Sequence, residues 1–280
     1  MKILVTGSEG QLGKTLQSHF KGRDNTVFVS KDDLDITNSV QVEALFETQS
    51  FDYCINCAAY TNVEKAEDEA EKAFLVNAEG VKHLARVASK HNTILIHMST
   101  DYVFDGKKRT RYSEEDATEP INTYGKSKLK GEQYIIELMD HYFIIRSSWL
   151  YAPHGKNFLT TMHSKIKEGA TLNVVTSQTG TPTSCDQVAK LIMTLIDNQI
   201  KDYGIYHFSA LGETTWFKYA EEISKHISNH RSTISPVETY PTKARRPEYS
   251  VLDLDKVRGM VHEIDEWDVE LKRVISKIAH

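Results

Sequence analysis

A short apolar run, Ile3 to Thr6, leads directly into three glycines spaced three residues apart, Gly7, Gly10 and Gly13. Gly7 can make the tight turn out of a strand, Gly10 lets a pyrophosphate approach the backbone, and Gly13 allows close helix packing. The helix that follows would add its free amides and positive dipole end at the same point. The start of the chain therefore predicts a strand, a glycine turn and a helix that bind a dinucleotide. A glycine turn without a ligand is the alternative.

A Tyr-x-x-x-Lys pair, Tyr124 and Lys128, lies further along the chain. Positions i and i+4 share a helix face, so we expect the Lys128 ammonium to lower the pKa of the Tyr124 phenol. Tyr124 would then serve as an acid or base near neutral pH. Thr100 ends a predicted strand and would hold the reacting oxygen, although a polar turn is its simpler explanation. A cofactor site, a proton donor and a group that holds a carbonyl together favour hydride chemistry.

Apolar runs and amphipathic stretches alternate through the first half of the chain. Such alternation predicts an α/β fold, a doubly wound parallel (Rossmann) sheet that forms a dinucleotide-binding domain over residues 1–150. Ligands of such sheets collect at the carboxyl ends of the strands. The predicted strands are Lys2–Thr6, Thr26–Ser30, Tyr53–Cys57, Ile94–Met98 and Tyr142–Arg146; the predicted helices are Gln11–Phe20, Ser39–Gln49 and Asn122–Met139, with one or two more within Ala66–Lys90.

The regular alternation ends after Tyr151. Residues 151–280 are predicted to form a smaller, mixed α/β substrate-binding lobe, interleaved with the first domain and set over the ligand edge of its sheet. The predicted strands here are Leu172–Thr176, Ile205–Ser209 and Tyr249–Leu252, and the helices are Lys156–Glu168, Asp186–Asp197 and Thr215–Ser228.

Charge and hydropathy exclude several classes of partner. The 280 residues include 34 basic and 39 acidic side chains, well mixed, with a net charge of -5. This composition does not predict a basic patch of the kind that binds nucleic acid or an anionic membrane surface. No apolar run approaches the roughly 18 residues of a spanning helix, and the N-terminal residues lack a signal-peptide pattern. We therefore expect a soluble, cytoplasmic protein that binds neither nucleic acid nor membrane.

Metal and redox chemistry are not expected. Cys54 and Cys57 have the spacing of a redox or zinc pair, but they fall in an apolar strand run and a second ligand pair is not evident. His226, His230 and Glu222 share a helix face that resembles part of a metal site, yet a solvated helix end explains them better. We predict buried strand cysteines and no bound metal.

The choice of dinucleotide depends on the residues after the second predicted strand. Ser30 and Lys31 stand where an acidic residue would bind the ribose hydroxyl of NADH, so a 2'-phosphate can be accepted. NADPH is therefore the expected cofactor. Asp32 and Asp33 follow directly and leave NADH possible.

The motifs together resemble the dTDP-4-dehydrorhamnose reductase family of the extended short-chain dehydrogenases. The resemblance covers almost the whole chain, and several of its blocks distinguish this family from the wider class. The blocks are Thr6-Gly7-x-x-Gly10-Gln11-Leu12-Gly13, Leu34-Asp35-Ile36-Thr37, Asn56-Cys57-Ala58-Ala59-Tyr60-Thr61, Ser99-Thr100-Asp101-Tyr102-Val103-Phe104-Asp105-Gly106, Asn122-Thr123-Tyr124-Gly125-Lys126-Ser127-Lys128, Ser148-Trp149-Leu150-Tyr151, Gly155-Lys156-Asn157-Phe158, Pro182-Thr183, Gly204-Ile205-Tyr206-His207 and Ala244-Arg245-Arg246-Pro247.

The resemblance implies NAD(P)H-dependent reduction of the 4-keto group of dTDP-4-dehydro-6-deoxy-L-mannose to dTDP-L-rhamnose. The implied catalytic residues are Tyr124, Lys128 and Thr100. The cofactor would be lined by Gly7, Gly10, Gln11, Leu12, Gly13, Ser30, Lys31, Asp35, Ile36, Ala59, Tyr60, Thr61, Ser99, Tyr124 and Lys128. The substrate would meet Thr100, Asp101, Tyr102, Trp149, Asn157, Arg245 and Arg246.

Two of these substrate assignments have simpler explanations. Trp149 offers a flat apolar face to a sugar or base but could equally be a core tryptophan. Arg245 and Arg246 suit a diphosphate through paired donors, but a solvated surface pair is as common. The chain also departs from the family at Ser147, at Cys57 and at Ala152-Pro153-His154, and Pro153 can reshape the loop over the substrate.

Two other functions remain open at this point. A nucleotide-sugar epimerase or dehydratase also uses the Tyr-Lys pair, although Asp101-Tyr102 is not the acidic pair expected of a dehydratase. A relative of this family is the non-catalytic regulatory subunit of methionine adenosyltransferase, but the intact set of Thr100, Tyr124 and Lys128 favours catalysis. The expected partners are a dTDP-sugar and, at most, a second copy of the chain, as a monomer or weak homodimer.

Overall fold

The structure is a computed structural model that describes residues 1–261 and 263–278. Strands alternate with helices through the first half, as predicted. The strands are β1 (Ile3–Thr6), β2 (Thr26–Val29), β3 (Tyr53–Asn56), β4 (Ile94–Thr100) and β5 (Tyr142–Ser147). The helices are α1 (Gln11–His19), α2 (Ser39–Thr48), α3 (Val63–Ala66), α4 (Ala70–Phe74), a π-helical turn (Leu75–Glu79), α5 (Gly80–Lys90), a 3-10 turn (Asp101–Val103) and α6 (Thr123–Leu138).

The second half is less regular and carries short strands. Its strands are β6 (Leu150–Tyr151), β7 (Thr171–Val175), β8 (Thr179–Gly180), β9 (Thr183–Ser184), β10 (Gly204–His207), β11 (Thr214–Thr215) and β12 (Thr233–Val237). Its helices are α7 (Phe158–Lys167), α8 (Cys185–Asp197), α9 (Trp216–Lys225), α10 (Asp255–Arg258) and α11 (Trp267–Ile275).

Six strands form one parallel sheet in the order β10-β5-β4-β3-β1-β2. From β1 the chain adds β2 on one side and then β3, β4, β5 and β10 on the other, so the strand order reverses between β1 and β3. In such sheets a crevice opens at this point, at the carboxyl ends of the strands. β1 and β3 are buried along their whole length, as expected of strands covered by helices on both faces. The predicted doubly wound α/β fold is confirmed.

Alternate residues of β1 serve two different cores. Ile3 and Val5 pack in a cluster beneath α1 and α8, whereas Leu4 points to the opposite face and packs with residues of α2 and α5. A third apolar cluster, which includes Leu159 and Tyr219, joins α7, β7, α9 and α11 in the second half of the chain. Among the described residues no helix is both long and apolar enough to cross a membrane.

Parts of the second half return to the main sheet. β10 pairs with β5 at the sheet edge, and α8 packs against α1. Strand β7 matches the predicted strand Leu172–Thr176. Its parallel partner β12 was not predicted, because β12 is partly exposed and contains Pro236. The predicted strand Tyr249–Leu252 is wrong, since this segment makes only isolated bridges, from Tyr249 to Thr179 and from Leu252 to Tyr112.

Candidate active site

The glycine turn between β1 and α1 is shaped so that side chains are excluded from it. Gly7 has φ of +66°, and a Cβ on it would lie 2.6 Å from the Ala58 nitrogen. A Cβ on Gly13 would lie 2.4 Å from the Gly7 carbonyl oxygen. Gly10 caps α1, and within the described chain no side chain bonds the amides of that first turn. The turn therefore offers bare backbone donors at a helix N-terminus, which suits a phosphate group.

A cavity of about 920 Å³ lies over this turn, at the carboxyl ends of the strands. It contains nearly all of the residues that the sequence assigns to cofactor and substrate. Those that line it are Gly7, Gly10, Gln11, Leu12, Lys31, Asp35, Ile36, Ala59, Tyr60, Thr61, Ser99, Thr100, Asp101, Tyr102, Tyr124, Lys128, Trp149, Asn157 and Arg246.

Three predicted site residues lie outside the cavity wall. Gly13 packs behind the turn, where it lets α1 approach. The Ser30 hydroxyl donates to Asp33 Oδ2 at 2.7 Å, so a local turn occupies it. Arg245 is exposed, and its carbonyl oxygen accepts from Asn122 at 2.8 Å. Spacing along the chain does not determine which way a loop residue faces, so contact of these three residues with a ligand stays a prediction.

The first turn of α6 is fixed tightly, and this places Tyr124. Asn122 caps the helix by accepting from the Gly125 amide at 2.7 Å. The Glu67 carboxylate accepts from the Thr123 amide and hydroxyl at 2.8 and 3.0 Å. A Cβ at Gly125 would lie 2.2 Å from the Tyr102 carbonyl oxygen, so glycine allows α6 to approach the end of β4. These contacts bring the Tyr124 phenol to the cavity beside Thr100.

Tyr124 retains its proton in this setting. Burial raises the pKa of its phenol to about 12, while a hydrogen bond with the Thr100 hydroxyl opposes the rise. The expectation that Lys128 lowers the pKa of the Tyr124 phenol is wrong in this structure. The Lys128 Nζ donates to the Met98 carbonyl oxygen at 2.6 Å rather than to the phenol. A neutral phenol is nevertheless the form that can give a proton to a developing alkoxide.

Asp101 is a buried carboxyl at the floor of the cavity, 2% exposed. Burial raises its pKa to about 7, and hydrogen bonds with Ser250 and Thr100 partly oppose this. The Thr100 hydroxyl donates to Asp101 Oδ1 at 3.0 Å and also accepts from the Tyr102 amide at 3.2 Å. These bonds hold the Thr100 side chain in one orientation at the end of β4.

Lys128 is 2% exposed, and burial lowers its pKa to about 8. Its Nζ lies 3.3 Å from the Nε2 atom of His97, a fully buried residue of β4. His97 was not predicted as a site residue, because a single histidine in an apolar strand usually belongs to the core. Lys128 can therefore exchange its proton near neutral pH.

A buried ion pair supports the same strand ends. Arg146 donates to both Glu132 oxygens, at 2.7 Å from Nη2 and at 3.1 and 3.2 Å from Nε. The Ser99 hydroxyl donates to the same carboxylate. Glu132 lies one turn after Lys128 on α6, and Ser99 and Arg146 are register partners on β4 and β5. The ion pair thus joins α6, the catalytic helix that carries Tyr124 and Lys128, to the sheet. The sequence alone did not predict this pair.

The π-helical turn supplies a second cross-link. Asn77 is fully buried there, accepts from the Tyr60 amide at 2.8 Å and donates to the Tyr60 carbonyl at 3.0 Å. It also donates to the Ser127 hydroxyl at 3.0 Å. Such turns occur often at functional sites. Here the widened turn lets the Asn77 side-chain amide hold the loop after β3 against α6. The sequence signal for this cross-link is a polar residue inside the run Leu75-Val76-Asn77-Ala78.

The opposite wall of the cavity is aromatic. The Trp149 ring stacks on Trp216, with centroids 3.6 Å apart and planes at 10°. A Cβ on Gly180 would lie 2.5 Å from the Trp149 indole, so this ring is held on the Gly180 side too. Trp149 has φ of +46°, a costly backbone conformation for a bulky residue. The half-buried indole is therefore both packed and presented to the cavity.

Asn157 has a structural role that the sequence did not indicate. It caps α7 by accepting from the Thr160 amide at 2.9 Å. Its amide donates to Gln11 Oε1 and to the Ala152 carbonyl, both at 2.8 Å. These bonds tie the loop after Tyr151 to the start of α1. Direct contact between Asn157 and a substrate stays a prediction.

Arg246 reaches the cavity from the loop near Pro247. Its Nη2 pairs with Glu64 Oε1 at 2.6 Å, and Lys243 in the same loop donates its amide to Glu64 at 2.9 Å. The guanidinium lies near Tyr102, where burial raises the pKa of the phenol and the Arg246 charge partly opposes that rise. Arg246 thus lines the cavity, whereas Arg245 does not, and contact of either with a substrate stays a prediction.

Cys57 lies just after β3, is half-buried and lines the cavity, so the prediction of a buried strand cysteine is wrong for this residue. Cys54 and the histidines considered for metal binding lie outside the cavity wall. Cys54, Cys57 and Cys185 are free thiols, and burial raises the pKa of Cys57 to about 12. His226 Nε2 lies 3.7 Å from Glu222. Across residues 1–261 and 263–278, no group of three or more His, Cys, Asp or Glu side chains is arranged to hold a metal ion.

A parallel sheet with this crevice, a glycine turn at its first helix and a Tyr-x-x-x-Lys helix beside it define an extended short-chain dehydrogenase/reductase. The family can be given more narrowly. A family model described as the RmlD substrate binding domain matches residues 1–280, and the chain belongs to that family.

Named relatives agree with this assignment. The dTDP-4-dehydrorhamnose reductase of Aggregatibacter actinomycetemcomitans is 35% identical, over 98% of each chain. A dTDP-4-keto-6-deoxy-D-glucose reductase of Streptomyces niveus is 36% identical, over 91% of this chain and 89% of the relative. The dTDP-4-dehydrorhamnose reductase of Bacillus anthracis, solved in complex with NADP, has a TM-score of 0.94 and 36% identity, covering 99% of this chain and 100% of that one.

Proposed function

We propose that the protein reduces the 4-keto group of dTDP-4-dehydro-6-deoxy-L-mannose with NADPH and so forms dTDP-L-rhamnose. The observation that carries the proposal is that Thr100, Tyr124 and Lys128 line the same cavity as the glycine turn. Full-length similarity to enzymes of that name supports the substrate. The intact catalytic set argues against a purely regulatory role.

The residues of the turn fit a dinucleotide. Gly7 and Gly10 line the cavity, and the first turn of α1 offers bare backbone amides there that suit a pyrophosphate, while Asp35 and Lys31 line another part of the same wall. Lys31 is exposed and brings a positive charge to the cavity wall, so it suits the 2'-phosphate of NADPH. Asp35 suits a ribose hydroxyl or the adenine edge. NADH stays possible because Asp32 and Asp33 follow Lys31.

When bound, NADPH supplies the hydride that forms the new C–H bond at the keto carbon. Tyr124 gives its phenolic proton to the keto oxygen as charge develops there, while the Thr100 hydroxyl holds that oxygen. The Lys128 ammonium then provides the phenolate with its replacement proton, and solvent reprotonates the Lys128 amine. Each turnover thus consumes one hydride and one proton.

The remaining wall residues orient the sugar nucleotide. Trp149 provides a flat apolar surface between Gly180 and Trp216, and Asp101 suits a sugar hydroxyl. Arg246 provides a charged donor for the diphosphate. Its pairing with Glu64 holds the guanidinium at the cavity rim before substrate binds.

The test is to incubate the purified protein with NADPH and dTDP-4-keto-6-deoxyglucose, with and without the matching 3,5-epimerase, and to identify the product by NMR. Formation of dTDP-L-rhamnose only with the epimerase supports the proposal. Reduction without the epimerase would indicate a 4-ketoreductase of the kind named for Streptomyces niveus. Absence of NADPH oxidation by folded protein would refute the reductase assignment.

Tyr124→Phe is the matched variant for this assay. It keeps the ring and removes only the proton donor, so turnover should fall about 100-fold or more while NADPH binding stays close to normal. Lys128→Met should weaken NADPH binding as well, because Lys128 also lines the proposed cofactor site and we infer that its ammonium holds the hydroxyls of the nicotinamide ribose. Fluorescence titration separates the two effects. Turnover near the wild-type rate in Tyr124→Phe would exclude Tyr124 as the acid.

A further inference from the structure

A row of buried hydrogen bonds crosses the sheet and ends at Lys128. Thr6, Asn56 and His97 are side-by-side register partners on β1, β3 and β4. Thr6 Oγ1 donates to Asn56 Oδ1 at 2.7 Å, Asn56 Nδ2 lies 3.0 Å from His97 Nδ1, and His97 Nε2 lies 3.3 Å from Lys128 Nζ. These side chains are between 0 and 2% exposed. We call them the Thr6–Lys128 row.

The backbone fixes the orientation of the Asn56 amide in this row. The Ala58 backbone amide lies 3.2 Å from Asn56 Oδ1 and can only donate, so that atom must be the oxygen. The other end of the side chain is therefore the NH₂ group. It donates to Nδ1 of His97, which must present a lone pair.

This arrangement leaves one tautomer for the imidazole. Burial holds the pKa of His97 well below its usual range, with the Lys128 charge acting in the same direction, so the ring is neutral. A neutral ring with a lone pair on Nδ1 carries its hydrogen on Nε2. That hydrogen points to Lys128 Nζ. An ammonium has no lone pair to accept it, whereas a neutral amine does.

We propose that His97, oriented by Asn56, is a positioning residue that stabilises the amine form of Lys128 by donating from Nε2. The inference rests on the proposed reduction, in which Lys128 supplies the proton that Tyr124 has spent and becomes an amine. The ammonium faces a donor–donor contact with His97, and the amine gains a hydrogen bond in the same place. His97 thereby makes Lys128 a stronger acid when the phenolate needs a proton.

Other ionisable groups face Lys128 and set the background of this effect. Cys57 at the end of β3 is a neutral thiol, Glu132 on α6 favours the ammonium, and Tyr124 one turn earlier is neutral. The Met98 carbonyl accepts from either form of Lys128. None of these neighbours depends on the His97 tautomer.

The first test reads the tautomer directly and needs no turnover. In ¹⁵N-histidine-labelled protein, long-range ¹H–¹⁵N spectra should show His97 with a hydrogen on Nε2 and a lone pair on Nδ1 from pH 6 to pH 9, its signals assigned by their loss in His97→Leu. A hydrogen on Nδ1, or a doubly protonated ring, overturns the proposal. Because this spectrum is independent of substrate, it stands even if the reductase assignment fails.

Asn56→Asp is the variant that should exchange the donor and acceptor roles of the two His97 ring nitrogens. Its carboxylate keeps the bonds from Thr6 and Ala58 but accepts from Nδ1–H, so Nε2 becomes an acceptor for the Lys128 ammonium. The NMR pattern should invert, and the Lys128 midpoint, followed by its ¹³Cε shift and by the alkaline loss of kcat/KM, should rise by about one pH unit or more. Thr6→Val is the matched control, since it removes a buried bond of the row without changing the tautomer, and its midpoint should stay unchanged.

The added charge of Asn56→Asp must be separated from the tautomer. The same substitution is therefore made in the His97→Leu background and compared with His97→Leu alone. If His97 transmits the effect, most of the shift disappears there. An equal shift in both backgrounds means that the carboxylate acts through space and overturns the proposal. If His97→Leu does not fold, the inverted or unchanged tautomer of Asn56→Asp decides alone.

Discussion

Removing the Glu132 carboxylate should reveal how much the catalytic helix depends on its buried ion pair. Glu132 and Arg146 are 1% and 4% exposed in their side chains, so Glu132→Gln leaves a guanidinium buried without its counter-charge. Breaking such a pair on one side costs about 3–5 kcal/mol. For a chain of this size each kcal/mol lowers Tm by about 2–4 °C, so Tm should fall by about 6–20 °C.

Thermal unfolding followed by circular dichroism measures this, with Glu137→Gln as the control. Glu137 lies on the same helix but is exposed, so its change should stay within about 0.5 kcal/mol. Replacing both partners, Glu132→Gln with Arg146→Met, should recover much of the loss, because the unpaired charge is gone. A Tm for Glu132→Gln equal to that of Glu137→Gln would refute the reasoning.

The same variant should also change the pH dependence. The Glu132 charge raises the pKa of Lys128 against the effect of burial, which brings it to about 8. Without that charge the ammonium loses its proton at lower pH. The alkaline loss of kcat/KM should therefore move to lower pH in Glu132→Gln, in the direction opposite to Asn56→Asp. An unchanged pH profile of kcat/KM would mean that Lys128 does not control the alkaline loss of activity.

Three further variants test the cavity walls. Lys31→Asp should shift the ratio of kcat/KM towards NADH, because a carboxylate repels the 2'-phosphate, and an unchanged ratio would mean that Lys31 points elsewhere. Trp149→Ala should weaken substrate binding by about 1–3 kcal/mol, roughly tenfold to a hundredfold, by calorimetric titration. A large drop in Tm with unchanged affinity would instead make Trp149 a core residue. Gly180→Ala should also weaken substrate binding, since its Cβ would displace the Trp149 indole, and normal affinity would contradict that view.

Local patterns in the sequence were sufficient for the sheet and for the core of the site. The glycine turn depends on backbone freedom at Gly7 and on close approach at Gly13, and both follow from the absence of a side chain. Tyr124 and Lys128 share a face because of the helical repeat alone. Strand β12 and the segment Tyr249–Leu252 were predicted poorly because their pairing partners lie far away along the chain.

Tertiary structure decided what surrounds these groups. The sequence by itself determined that a proton donor, a lysine and a dinucleotide turn would meet at the carboxyl ends of parallel strands. It could not determine that burial keeps Tyr124 protonated, or that His97 and Asn56 stand behind Lys128 on neighbouring strands. A pKa depends on every charge and dipole within a few ångströms, and these neighbours come from separate segments that only the folded sheet brings together.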